Sequence, residues 1–154
     1  MNKVVLGLGS NIGNREENLL QCIDLVNQND FLEVTRVSKF RETKPVSRVS
    51  QPDFLNGAIL IETLLSPREV FAWTVDVEKQ MGRTLKGNHD PRIIDIDVLM
   101  YGDTILSQDD LTIPHALMHE RGFVLEPLVD IVPDMIHPVL RESVTDLFSK
   151  VVGY

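Results

Sequence analysis

Pro91-Arg92-Ile93-Ile94-Asp95-Ile96-Asp97-Val98-Leu99 sets two carboxylates among alternating aliphatic residues. A period of two marks a strand with one face in a core, because side chains i and i+2 share a face. Asp95 and Asp97 then project together, roughly 6.6 Å apart along the strand. Ile94, Ile96 and Val98 bury behind them. Strand alternation alone can put such a pair on a solvated face. Against that stand the scarcity of Asp in strands and the repulsion of like charges on one face unless a cation offsets it. The approach to the strand is basic, with Arg83, Lys86 and Arg92 against Asp90 alone. Two hard oxygen ligands beside a guanidinium suit a metal–polyphosphate site, since Mg²⁺ takes a few carboxylate oxygens and completes its shell from phosphates.

Working outward, Lys3 to Leu8 reads as a short buried strand and Gly9-Ser10-Asn11-Ile12-Gly13 as a tight loop. Asn14 is placed to cap a helix from about Arg15 to Asn29, with Glu17 completing a capping-box pattern and Leu19, Ile23 and Val26 at helical spacing. Leu32 to Phe40 reads as a strand. Thr43 to Asp53 holds two prolines and no period, a loop of about 11 residues, near the length where functional loops outnumber connectors. Phe54 to Glu62 is a second long strand. Ser66-Pro67-Arg68-Glu69 is a helix start, Val70, Trp73, Val77 and Met81 mark its buried face, and Gly82 stops it. A polar loop from Arg83 to Pro91 leads into the aspartate strand, Ile93 to Tyr101. A turn at Tyr101-Gly102-Asp103, a short strand at Thr104 to Leu106, a helix near Phe123 to Val129 and a last helix from about Ser143 to Val151 follow. The order strand, helix, strand, strand, helix, strand predicts an α+β chain with a ferredoxin-like βαββαβ core, an antiparallel sheet and appended C-terminal helices. Residues 1–154 are expected to form a single domain.

The chain carries 15 basic and 23 acidic side chains, a net charge of −8, opposite in sign to that of a sequence-independent nucleic-acid binder. No apolar run reaches membrane-spanning length and Met1-Asn2-Lys3 opens no signal segment, so a cytoplasmic protein without membrane partners is expected. The single cysteine, Cys22, falls in a helical pattern and reads as a small buried side chain rather than a nucleophile. Gly7, Gly9 and Gly13 are spaced GxGxxxG, which fits neither the dinucleotide nor the Walker pattern; permissive glycines at a strand-to-helix turn explain them better. His115 and Arg121 are ordinary taken singly and gain weight only beside Asp95 and Asp97.

Assembled in order, several pieces resemble the 6-hydroxymethyl-7,8-dihydropterin pyrophosphokinases of folate synthesis. They are Gly9-Ser10-Asn11, Thr43 with Pro45, Gln51-Pro52-Asp53-Phe54-Leu55-Asn56, Glu78 with Gly82-Arg83, and Pro91-Arg92-Ile93-Ile94-Asp95-Ile96-Asp97. Leu111-Thr112-Ile113-Pro114-His115 and Arg121-Gly122-Phe123-Val124-Leu125 with Pro127-Leu128 complete the set. The resemblance implies transfer of pyrophosphate from ATP to the pterin hydroxymethyl group, with release of AMP. By that resemblance Asp95 and Asp97 would hold two Mg²⁺ on the triphosphate. With Arg92 and Arg83 they would form the catalytic set, and Arg83, Arg92, His115 and Arg121 would contact phosphates. Glu78 and Thr112 would lie nearer the nucleoside, and Val98 would also contact ATP. Asn56 would pair with the pterin edge, Phe54 and Phe123 would sandwich its ring, and Thr43 and Val46 would add loop contacts. The loops Thr43–Asp53 and Arg83–Pro91 would close over the substrates. The chain departs from the commonest bacterial pattern at Leu85, His89, Asp90, Asp110 and Ala116. A monomer is expected. A relative that binds pterin or nucleotide without catalysis is the rival reading.

Overall fold

In the computed structural model, which describes residues 1–44, 52–82 and 93–151, strand β1 (Asn2–Ser10) is the centre of the design. It is followed by α1 (Arg15–Asn27), β2 (Leu32–Val37), β3 (Arg41–Thr43), β4 (Phe54–Thr63), α2 (Pro67–Gln80) and β5 (Asp95–Tyr101). A small hairpin of β6 (Leu106–Ser107) and β7 (Thr112–Ile113), a 3₁₀ turn at Met118–Glu120, α3 (Gly122–Ile131) and α4 (Val144–Val151) complete the described chain. The main sheet runs β2-β4-β1-β5, with β3 pairing further along β4, and all its pairings are antiparallel. If β2 and β3 are read as one interrupted strand, this is the expected split βαβ order, each helix joining two parallel strands with an antiparallel one between them.

The two sheet faces bury different helices. Val4, Leu6 and Leu8 of β1 and Ile96 and Val98 of β5 pack with Leu19, Cys22 and Val26 of α1 and Val70 and Val77 of α2. Val5 of β1, Ala58 and Leu60 of β4 and Met100 of β5 pack with Leu125, Leu128 and Ile131 of α3 and Val144 and Leu147 of α4. Both helix starts on the first face are capped from the sequence. Asn14 accepts from the Glu17 amide at 3.1 Å, and Ser66 with Glu69 forms a complete capping box. Gly82, at φ +104°, closes α2.

The sheet has a bulge at Thr35 of β2 and two more that decide what faces the site. In β5, Val5 opposes Met100 and Leu6 opposes Val98, so Leu99 is an extra residue and the strand changes face there. Between β2 and β3, Val37 opposes Ile59 and Arg41 opposes Asn56, setting three residues against two. Ser38 repairs the gap: its N–H donates to the Ala58 carbonyl at 2.9 Å and its Oγ accepts from the Ala58 amide at 2.8 Å. Phe40 fills the space above Gly57, where a Cβ would stand 2.7 Å from the ring. The continuous strand expected from Leu32 to Phe40 is therefore broken at Ser38, and Thr43, expected in a loop, ends a strand on the α3 face. The β1 strand also runs two residues further than expected, taking in Gly9 and Ser10.

Candidate active site

On the α3 face, beyond the end of α3's packing, four strands contribute one transverse row. Asp95 pairs with Gly9, Gly9 with Asn56 and Asn56 with Arg41. Asp97 pairs with Gly7 in the neighbouring row, and Phe54 with Thr43 on the other side. Asp95, Asp97, Asn56, Phe54 and Thr43 are all half-buried. Asp95 and Asn56 stand two strand spacings apart, roughly 10 Å, with only glycine between them. A Cβ at Gly9 would lie 2.9 Å from Asn56 Oδ1 and 3.4 Å from the Phe54 ring. The missing side chain is what lets both groups lie over β1. Asn56 Nδ2 donates to Thr43 Oγ1, which aims the amide.

Pro52 and Asp53, which lead into β4, are tied down beside this row. Asn11, at the end of β1 and 1% exposed, donates from Nδ2 to the Pro52 carbonyl at 3.2 Å. Arg15 donates to the Asp53 carbonyl at 3.0 Å and pairs with Glu42. Asn18 donates to Ser10 Oγ at 3.1 Å and to the Ile12 carbonyl at 2.9 Å. Thus Gly9-Ser10-Asn11 does not form a phosphate loop. It is strand and anchor, and it holds the residues that lead into Phe54.

The other expected residues approach from different sides. Arg121 stands at the N-terminal boundary of α3, its guanidinium 5.9 Å from the centre of the Phe123 ring, on the same sheet face as Asn56. The His115 amide donates to the Leu99 carbonyl at 2.9 Å, which fastens that loop to β5. Thr112 is exposed on β7. Val98 points its side chain into the core of the opposite face, 5% exposed, so only its main chain could meet a ligand. Glu78 comes from α2, is 2% exposed, and accepts the Ile96 amide at 2.8 Å. It holds the backbone between the two aspartates from beneath. Arg83, Arg92 and Val46, with Gln51, Leu85, His89 and Asp90, lie outside the described residues. Asp110, one of the departures, is gripped by Arg68 of α2 at 2.7 and 3.1 Å; the Arg68 hydrogen bonds hold its carboxyl below the usual range.

Among the described residues no group of three His, Cys, Asp or Glu could hold a metal ion by itself. A pair of carboxylates on one strand face is an incomplete shell. It fits a hard cation that arrives with, and is completed by, oxygens of a phosphorylated ligand, which is the habit of Mg²⁺. Cys22 does not join the chemistry: burial, then the charge of Glu78, pushes its thiol up to about 12, so it stays protonated.

Sequence comparison agrees with this geometry. The pattern of the family described as 7,8-dihydro-6-hydroxymethylpterin-pyrophosphokinase matches residues 5–133. The Bacillus subtilis 2-amino-4-hydroxy-6-hydroxymethyldihydropteridine pyrophosphokinase is 41% identical over 132 residues, covering 85% of this chain and 79% of the relative. The Schizosaccharomyces pombe folic acid synthesis protein fol1 is 37% identical over 153 residues, but the chain spans only 20% of that protein's length. In structure, the Plasmodium falciparum HPPK-DHPS crystallised with pteroate superposes with a TM-score of 0.79 over 98% of this chain and 42% of that one. At 16% identity this likeness speaks for the fold alone. With a matching pattern over most of its length and a close bacterial relative, the chain belongs to the 7,8-dihydro-6-hydroxymethylpterin-pyrophosphokinase family.

Proposed function

We propose that residues 1–154 act as one monomeric, cytoplasmic domain that moves the β,γ-pyrophosphoryl group of ATP to the hydroxymethyl oxygen of 6-hydroxymethyl-7,8-dihydropterin and releases AMP. The observation that carries this reading is the row Asp95–Gly9–Asn56, which sets paired carboxylates opposite an oriented amide across a bare strand. A pterin edge offers adjacent donors and acceptors, and the Asn56 amide supplies one of each. Phe54 and Phe123 flank the ring from β4 and α3. Thr43 holds the Asn56 amide, and Val46, by the family resemblance, would add a contact.

Asp95 and Asp97 would hold two Mg²⁺ on the triphosphate. Bound there, the ions would offset phosphate charge and polarise the β-phosphorus. The chain's own task is placement. The hydroxymethyl oxygen gives up its proton to solvent and forms a bond to the β-phosphorus, the bond from that phosphorus to the α,β-bridging oxygen breaks, and AMP leaves with the electron pair. Arg121 and His115, with Arg83 and Arg92, would meet the charge that builds on phosphate oxygens, and Thr112 and the Val98 main chain would border the nucleoside. Glu78 would hold the strand carrying the metal ligands. Holding both reactants aligned accounts for much of such a rate.

The test is a melting-temperature shift. MgATP and the pterin should each raise the melting point by mass action, and the Asn56→Ala variant should lose the pterin shift while keeping that from MgATP. No shift with either ligand would reject the reading.

A further inference from the structure

We propose that Arg41 is a positioning residue for the pterin slot: it locks the strand wall to the helix wall without touching the substrate. The inference rests on the pterin reading above. Arg41 is the cross-strand partner of Asn56 and lies two residues before Thr43, so it belongs to the wall that aims the amide. Its Nη1 and Nη2 donate to Asp130 Oδ2 and Oδ1 at 2.9 Å each, and its Nε lies 3.1 Å from Glu126 Oε1. The Lys39 amide adds a bond to Asp130 Oδ2 at 3.1 Å. Phe123, Glu126 and Asp130 stand at i, i+3 and i+7 of α3, hence on one face of that helix.

A guanidinium that grips two carboxylates one turn apart fixes the roll of a helix about its axis as well as its distance. Apolar packing of Leu125, Leu128 and Ile131 sets the depth of α3 on the sheet but is less directional. Roll is the coordinate that swings Phe123. Arg36 anchors the far end separately, donating to the Ile131 carbonyl at 2.8 Å, so α3 stays docked when Arg41 is changed. The side chains of Arg41 and Asp130 are only 28% and 24% exposed and their fork is bidentate, so the pair adds to stability as well as to geometry, and melting curves separate the two effects. The sequence places Arg41 within the expected strand-to-loop passage and gives no hint of its partner 89 residues on.

Steady-state kinetics with MgATP and 6-hydroxymethyl-7,8-dihydropterin decide the point, read with melting curves for Arg41→Met, Arg41→Lys and Asp130→Asn. Arg41→Met and Asp130→Asn should each raise the KM for pterin about tenfold, leave the KM for ATP within about twofold, and combine without adding. Arg41→Lys, one charge without the fork, should recover only part of the loss. An unchanged pterin KM overturns the proposal. So does a parallel rise of both KM values with a collapsed melting point, which would make the pair a mere stability element. A wild type that makes no AMP defeats the parent reading instead. Pterin affinity by calorimetry then still decides Arg41, and equal affinities in wild type and variants, or none in either, overturn it.

Discussion

A side chain on Gly9 would have to displace Asn56 Oδ1, 2.9 Å away, or the Phe54 ring. Gly9→Ala is therefore expected to weaken pterin binding about tenfold with little effect on the ATP KM. Kinetics in which both constants hold would contradict the assignment of that floor. Asp97→Ala should act oppositely, cutting turnover by about 10²–10³ or more while the protein stays folded. Circular dichroism beside a rate assay would separate the two effects. The aspartates were legible in the sequence because alternation needs only neighbours. Gly9 was not, since its meaning depends on which residues of β4 and β5 stand beside it, and register is a long-range property. The resemblance expects Glu78 near the nucleoside; that its carboxylate also accepts the Ile96 amide under the site depends on how α2 lies on β5, which the sequence does not show.

Among the elements, the break between β2 and β3 matters most. One extra residue at Ser38 to Phe40 turns Arg41 and Thr43 onto the same face as Asn56. Ser38→Ala leaves the buried Ala58 amide without its acceptor, at a cost of about 1–3 kcal/mol and a melting point lower by about 2–10 °C. The pterin KM should rise with it, because the strand that carries Thr43 loses its fixed phase. An unaltered melting point and KM would show the bulge to be held by packing of Phe40 alone. Helix ends were readable because capping chemistry is local, as at Ser66 and Glu69. The bulge was not: serine and lysine in a strand are unremarkable until the partner strand is in place. For the same reason the short strand expected at Thr104 to Leu106 stands instead at Leu106–Ser107, paired with Thr112–Ile113.

For the whole molecule, acid stability reports on the C-terminal region. His137 is 4% exposed, and its Nδ1 accepts the amides of Val139 and Leu140 at 3.3 and 3.1 Å. Burial, then the nearby His119, lowers its pKa below the ordinary 6.5. As pH falls through the ordinary imidazole range the unfolded chain takes up this proton and the folded one does not, so stability drops as acid is added and is unaffected above it. The melting point should fall more steeply from pH 7 to 5 in the wild type than in His137→Gln; equal slopes would contradict the assignment. At this scale the sequence was a good guide. The order of elements gave the split βαβ sheet, and the two cores follow from strand alternation. What it could not give was which loops meet, and much of the proposed phosphate-binding set, Arg83 and Arg92 included, lies outside the described residues. Among the described residues no helix is long and apolar enough to cross a membrane. The most direct test of the central claim is the nucleotide product formed from ATP, Mg²⁺ and 6-hydroxymethyl-7,8-dihydropterin. AMP should appear in step with pterin diphosphate and only when all three are present; ADP, or no nucleotide product at high enzyme concentration, would contradict it.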